Sequence, residues 1–422
     1  MRIVVTLAVF AAMVILMVVR PRRWNEAWWT MLAATVMLVL GLVTPREALG
    51  AVLAGKNALL FLLSLLALSL LIGKSGFFDW AAIRCARVAK GDAHSLYRNA
   101  FVAGAIITAI LSLDTTAVML TPVMLALVKR LKVPAAPYVV LCAFVANVGS
   151  LALPISNLTN LLFADAFHQT FAAFAARMIA PQLVALVTTY AVLRWHFRHK
   201  LPNCFDGDSL PEPASVVPNR AYFMVCVTVL AVVLIGYFLA PLMGLEPYVF
   251  AFAGSAVLVF VGMGFGRVRI RVVRELAWDI FPFIIGLFIA VQGLENLGII
   301  GIEAGWLGSM RPGSPEKLFA AAGATAFASN FMNNLPAALI ARSVLLSSHA
   351  HISTVLAALI GANVGPMVTP FGSLATMLVL AFARQGGEEV RAGEVVRLGL
   401  WAVPVIVVLT TLTLSASFVL VR

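Results

Sequence analysis

Asn147 and Asn363 sit in the same setting. Ala146-Asn147-Val148-Gly149 recurs 216 positions later as Ala362-Asn363-Val364-Gly365, each copy in an apolar, helix-like stretch. A proline follows each copy at the same offset, Pro154 and Pro370, and then small residues: Ser156 and Asn157, or Gly372 and Ser373. Asparagine, glycine and proline all work against an unbroken membrane helix. Two interrupted helices at matching places in two halves of a chain point to a solute-binding site of the transporter kind. The ends of half-helices present free N–H groups on one side and free carbonyls on the other. Joined by amides and hydroxyls, they can hold a small polyhydroxylated or oxyanionic solute, or coordinate a cation.

Asp114 is the one acid in the apolar stretch 99–128. Acids inside a membrane are costly and mark function. A carboxyl there can take up and release a proton during turnover; it can also serve structure, hydrogen-bonded to a facing segment. The proton-coupling residue expected is therefore Asp114. The expected substrate-binding set is Ser112, Thr115, Thr116, Asn147, Ser156, Asn157, Asn160, Asn333, Asn334, Asn363, Thr369 and Ser373. Ser150, Thr159, Ser329, Asn330 and Thr376 lie in the same segments. Each of these can also simply join helices by hydrogen bonds. Glu295 reads as a solvated acid at a helix end. Arg342 either snorkels to the surface or helps to hold an anion.

These residues need helices to carry them across a bilayer. The 422 residues are 62% hydrophobic and only 11% charged, with a mean hydropathy of +1.00. Windows such as 3–19, 27–43, 57–72, 171–193, 221–239, 248–263, 278–291 and 398–420 are near the length of a membrane helix. A β-barrel would show short alternating segments instead. The expected fold class is an all-α polytopic membrane protein, an inverted-repeat secondary transporter. It has about ten spanning helices, two re-entrant hairpins and two broken helices. The first window is followed at once by Arg20, Pro21, Arg22 and Arg23 with no small-residue cleavage site, and reads as a retained helix. The net charge of +12 reads as basic cytoplasmic loops, not as a nucleic-acid surface. Cys85, Cys142, Cys204 and Cys226 have no metal-ligand spacing, and no metal or cofactor is expected.

Basic residues gather in 20–23, 74–98, 129–132, 194–220 and 267–274, whereas 44–56, 241–248 and 294–317 carry few. Placing the rich loops in the cytoplasm puts the N-terminus outside. The windows that open the two halves then run in opposite directions. Lys74-Ser75-Gly76-Phe77-Phe78-Asp79 has an echo 222 positions on, and Leu113-Asp114 stands 220 positions before Asn333-Asn334. The chain therefore divides into a first repeat, 1–194, a polar cytoplasmic linker, 195–220, and a second, inverted repeat, 221–422. Segment 99–128 is too short for two crossings and a turn. It reads as a hairpin from the cytoplasm with its tip near 112–116; its mirror enters from outside over 317–347, with its tip near 329–334. Irregular backbone at that depth must line a cavity or be buried in protein.

At these residues the chain resembles the bacterial ArsB family of arsenite and antimonite efflux proteins, within a wider ion-transporter superfamily. The resemblance rests on Ser75-Gly76-Phe77-Phe78-Asp79-Trp80-Ala81-Ala82, on Asp114 with Leu120-Thr121-Pro122, and on Ser156-Asn157-Leu158-Thr159-Asn160. It continues through Met332-Asn333-Asn334-Leu335-Pro336 and the run from Gly365 to Thr376. It implies proton-coupled export of trivalent arsenic as the neutral trihydroxide across the bacterial inner membrane, and a cytoplasmic ATPase partner able to convert the carrier into a pump. Thiolates bind trivalent arsenic, which gives Cys142, close to Asn147, a substrate-binding reading beside its inert one. The chain departs from the family's pattern at Asn147 and Asn363, where acids are familiar, and at Met367, where a lysine is. A core with one carboxylate suits a neutral solute exchanged for one proton. A sodium/proton antiporter of the same superfamily would need more carboxylates there. A dicarboxylate-type anion carrier would need a convergent cation, for which only Arg342 is near. An intramembrane enzyme would need a catalytic pair, and His94, His168, His196, His199, His349 and His351 fall near helix ends or loops.

Overall fold

In lipid, every backbone N–H and C=O must find a partner within its own segment, so an apolar chain of this kind folds as helices. The computed structural model describes residues 2–19, 25–207, 210–388 and 390–420; the arginine cluster expected at 20–23 and residues 208–209 of the linker lie outside the described residues. Among the described residues there is no strand, only a single bridge between Asp92 and Cys204.

The first half runs α1 (Arg2–Val19), α2 (Glu26–Val39), α3 (Pro45–Ala54), α4 (Lys56–Lys74) and α5 (Phe77–Val88). It continues with α6 (Ala93–Ile110), the short α7 (Leu113–Thr115), a π turn over Thr116–Leu120 and α8 (Thr121–Arg130). It closes with α9 (Ala135–Val148), α10 (Leu158–Ala166) and α11 (Phe171–His196). The second half runs α12 (Arg220–Leu239), α13 (Pro247–Gly264), α14 (Ile280–Glu295), α15 (Ile299–Gly308), α16 (Pro315–Met332) and α17 (Asn334–Ser347). It ends with α18 (Ile352–Val364), α19 (Leu374–Gln385) and α20 (Ala392–Leu420). Short polar side chains start many of these helices by accepting from otherwise orphaned N–H groups. Thr44 and Glu47 form a capping box on α3; Asp92 caps α6, Asn219 caps α12 and Ser314 caps α16.

The two halves follow the same order from α4 and α14 onward. Gly76 and Gly298, 222 positions apart, both take left-handed backbone (φ 83° and 73°) and turn α4 into α5 and α14 into α15. Glycine adopts that geometry without a Cβ clash. The packing is reciprocal: α2 lies on α14 as α4 lies on α13, and α11 packs against α20. The hairpins are α6 with α7–α8 and α16 with α17. Their turns fall at residues 111–112 and at Asn333.

Five helices among the described residues are long and apolar enough to cross a bilayer alone: α4, α11, α12 with its following turn, α13 and α20. The others are shorter, because breaks and hairpin turns divide them. The crossing expected over 27–43 stops at Val39, and α11 runs to His196, two residues into the segment expected as a linker.

Contacts sort the loops onto two faces. On one, Lys74 Nζ pairs with Glu275 at 2.7 Å, Arg267 donates to Pro218 O at 2.5 Å and Phe205 N to Gly91 O at 2.8 Å. On the other, Arg2 donates to Gly41 O at 3.2 Å and Asn296 to Leu42 O at 3.2 Å. The first face carries the basic loops.

Candidate functional site

Four interruptions of helix meet inside the molecule. The first break lies between α9 and α10, where Pro154–Ser156 form a 3-10 turn; the second lies between α18 and α19, after a 3-10 turn over Gly365–Val368. Two hairpin tips face them. Asp114, Asn157, Thr159, Asn333 and Asn334 line one small chamber of about 40 Å³, whose apolar wall includes Leu62, Phe283 and Leu374.

A larger cavity, about 550 Å³, opens toward the face of basic loops. Asn25, Glu26, Glu275 and Asp279 stand in its wall, and Ser69, Thr115 and Asp114 line it too. Asp114 and Leu374 therefore border both spaces. The Asp114 carboxyl accepts no hydrogen bond among the described residues. The tip beneath it is cross-linked by hydrogen bonds. Ser112 Oγ accepts from Thr115 N at 3.2 Å and lies 2.9 Å from Thr115 Oγ1. Thr115 Oγ1 in turn donates to Ser69 Oγ on α4 at 2.9 Å.

Behind the chamber, the breaks are stitched across the halves. Asn157 Nδ2 donates to Asn363 Oδ1 at 3.0 Å and Thr159 Oγ1 donates to the same atom at 2.7 Å. Asn363 Nδ2 donates to Asn160 Oδ1 at 2.7 Å, and Asn160 Nδ2 donates to Ser150 O at 2.6 Å. On the other side, Asn147 Nδ2 donates to Thr376 Oγ1 at 3.1 Å. All these side chains are buried. Helices broken at this depth must have such partners for their freed groups.

The expected site residues thus divide. Asp114, Asn157, Asn333 and Asn334 reach the chamber; Ser112 and Thr115 shape the tip; Asn147, Asn160, Asn363 and Ser373 lie in the breaks behind it. Three others turn elsewhere. Thr116 Oγ1 meets Thr108 Oγ1 within the first hairpin at 2.7 Å. Ser156 Oγ donates to Ala109 O at 2.8 Å. Thr369 N and Oγ1 both donate to Asn330 Oδ1, at 3.0 and 3.2 Å. Ser329 bonds back to Thr325 O. Cys142 is buried in α9 and lines neither space. Glu295, expected to be solvated, is partly buried and accepts from Ser343 Oγ. Arg342 lies in the field of Glu295 and Asp165 and does not line the chamber.

Two features escape sequence reasoning. Gln182, just after Pro181 in α11, accepts from Ala152 N at 2.5 Å and donates to Gly149 O at 3.0 Å, satisfying the first break from outside it. A lone glutamine beside a proline in an apolar helix was the available signal. Glu26, at the start of α2, and Asp279, before α14, are remote in sequence; only the fold brings them to one cavity.

The sequence profile of a family described as ArsB, arsenical pump membrane protein, matches residues 5–419. The arsenical pump membrane protein of Escherichia coli (strain K12) is 31% identical over 424 residues, covering 98% of this chain and 99% of that one. That of Yersinia enterocolitica is 30% identical with the same coverage. Among solved structures, the fold is similar to the crystal structure of the YdaH transporter of Alcanivorax borkumensis. The TM-score is 0.59 at 17% identity, covering 87% of this chain and 86% of that one.

Proposed function

The chain belongs to the ArsB family of arsenical pump membrane proteins, and from that premise we propose that it exports trivalent arsenic in exchange for a proton carried by Asp114. The substrate is the neutral trihydroxide of arsenic, and that of antimony by the same chemistry. The observation that carries the reading is the position of Asp114: one carboxyl, without a hydrogen-bond partner among the described residues, borders both the large cavity and the small chamber at the hairpin tips.

The exchange follows from the cost of a charge away from water. A lone carboxylate is expensive in a chamber walled largely by apolar side chains within the membrane. It is relieved in two ways, by a proton or by a hydroxyl donor from the solute. Outward travel carries the trihydroxide, one of whose hydroxyls donates to the ionised carboxylate. Return travel carries the proton. The two ligands compete for one group, so each crossing of one is matched by the other.

In this reading the face of basic loops is cytoplasmic, the N-terminus lies outside, and 195–220 links two inverted repeats in a bacterial inner membrane. The cavity is then open to the cytoplasm. Alternating access comes from movement of the hairpins and broken helices against the remaining helices. A cytoplasmic ATPase partner would dock on the basic face.

The test is arsenite accumulation in energised everted vesicles. Wild type should accumulate arsenite in proportion to the proton gradient, and Asp114→Asn should lose at least about nine-tenths of it. A sodium-induced pH change without arsenite uptake would move the protein to the sodium/proton antiporters.

A further inference from the structure

Matching residues of the two halves meet around the chamber. Leu62 and Ile284, Leu113 and Asn333, Asp114 and Asn334, and Leu158 and Leu374 all line it, and the members of each pair stand 216 to 222 positions apart. The large cavity runs from there to the face of basic loops. Its wall includes Asn25 and Glu26 at the start of α2, Asp279, Ile280 and Phe283 around the start of α14, and Leu374 and Leu378 of α19.

The matching elements enclose a second pocket, of about 100 Å³. Glu246 and Pro247 at the start of α13 stand 221 positions after Asn25 and Glu26. Asn57, Ala58 and Phe61 of α4 stand 222 positions before Asp279, Ile280 and Phe283. The third wall is α10, the counterpart of α19, through Leu161, Ala164 and Asp165. This pocket lies toward the opposite face: Asn57 begins α4, whose far end, Lys74, pairs with Glu275 among the basic loops.

The two spaces differ in what crosses the mouth. Asn57 Nδ2 donates to Asp165 Oδ1 at 3.2 Å and joins α4 to α10. The matching positions at the cavity are Asp279 and Ala381. Alanine has no acceptor side chain, and Asp279 accepts instead from Asn25 of α2. They differ in depth as well. The cavity shares Asp114, Ile280, Phe283 and Leu374 with the chamber. The smaller pocket shares no lining residue with it: Phe61 and Leu161 line the pocket, while Leu62 and Leu158, their neighbours along α4 and α10, line the chamber.

We propose that the smaller pocket is the outer port of the transport path, and that the Asn57–Asp165 hydrogen bond is the latch that holds it shut while the cavity is open. This rests on the transport reading above, in which the halves are inverted, and assigns its exit. Opening takes α10 away from α4, so that the two halves exchange roles as alternating access requires. The latch suits repeated use. Both of its residues are partly exposed, and a single bond that water can replace is cheap to break. Asp165 also stays in the field of Arg342 on α17, so its carboxylate keeps a counter-charge when the bond opens.

The experiment reads one port while the other is altered. With the four native cysteines replaced, Ala164→Cys places a thiol in the buried wall of the pocket, and its labelling by a membrane-impermeant maleimide is followed in intact cells. Asn57→Ala should speed the labelling about fivefold, the effect of losing one hydrogen bond from the latched state. Asp165→Ala cuts the same bond from α10; it should act alike and keeps the test open if Asn57→Ala does not fold. Asp165→Asn keeps an acceptor and should leave the rate near that of the parent. Leu378→Trp, a wedge in the wall of the cavity that opposes its closure, should cancel the gain. A gain that persists with the wedge would make the bond a local surface contact and overturn the inference, as would a thiol at 164 that none of these variants exposes to the outside. Latch-dependent labelling that the wedge cancels, in a protein that transports no arsenite, would overturn the export reading and leave the port standing.

Discussion

Asn333 holds a backbone conformation that few residues other than glycine adopt, with φ 76° and ψ 157°. Its side chain explains the exception: Nδ2 donates to Phe371 O at 3.1 Å and Oδ1 accepts from Leu335 N. Asn334 N adds a bond to Gly372 O at 2.8 Å, so the second tip is clasped to the second break. Asn333→Gly should keep the fold and cut transport a few-fold, since it relaxes the backbone and removes the clasp. Asn333→Val should cost about 1–3 kcal/mol of stability, measured as a lowered unfolding temperature in detergent; an unchanged temperature would show that the tip is not strained. At this scale the sequence was only partly legible. Residue types and segments placed Asp114, Asn157, Asn333 and Asn334 at the chamber. They could not say that Thr116 spends its hydroxyl on Thr108, or Ser156 on Ala109 O, because those choices depend on rotation about helices whose ends were known only roughly.

The hairpin α16–α17 and the broken helix α18–α19 meet along a stripe of small residues. A Cβ on Gly361 would lie 2.2 Å from Ala322 O, and one on Gly365 would lie 2.3 Å from Ala326 Cα. Small residues four apart on both helices let the backbones touch, a usual way of joining helices in lipid. Gly361→Val should therefore push α18 off α16 at a cost of about 1–3 kcal/mol and broaden or abolish the folded peak in size exclusion. A well-folded variant would show that the two helices are not locked. The first half reaches similar closeness by another route, with Gly104 of α6 facing Val145 of α9. At the scale of elements the sequence was far more legible. The 30-residue spacing of segment 99–128 forced a hairpin, and the repeated Ala-Asn-Val-Gly motif marked both breaks. What stayed hidden was a partner remote in sequence, Gln182, whose reach to Gly149 and Ala152 depends on how α11 packs on α9.

At the scale of the whole molecule, the cavity bordered by Asp114 opens toward the face of basic loops. Leu378 lies in the wall of the cavity and not of the chamber. With Cys85, Cys142, Cys204 and Cys226 replaced, Leu378→Cys should react with a membrane-impermeant maleimide in everted vesicles, and slowly or not at all in intact cells. Labelling from the outside alone would reverse the proposed orientation. The cavity wall has a further property. Among the described residues it presents carboxyls at Glu26, Asp114, Glu275 and Asp279 and no cationic side chain, with Lys74 paired to Glu275 at its edge. Walls of one sign focus their field into the space between them. For the proposed transport, phosphate, sulfate and arsenate, all anions at neutral pH, should be disfavoured at this wall before they touch a binding group, whereas an uncharged hydroxide should not be. On the proposed reading, discrimination between the two oxidation states of arsenic begins at the doorway, as a toll on charge levied before any recognition of shape.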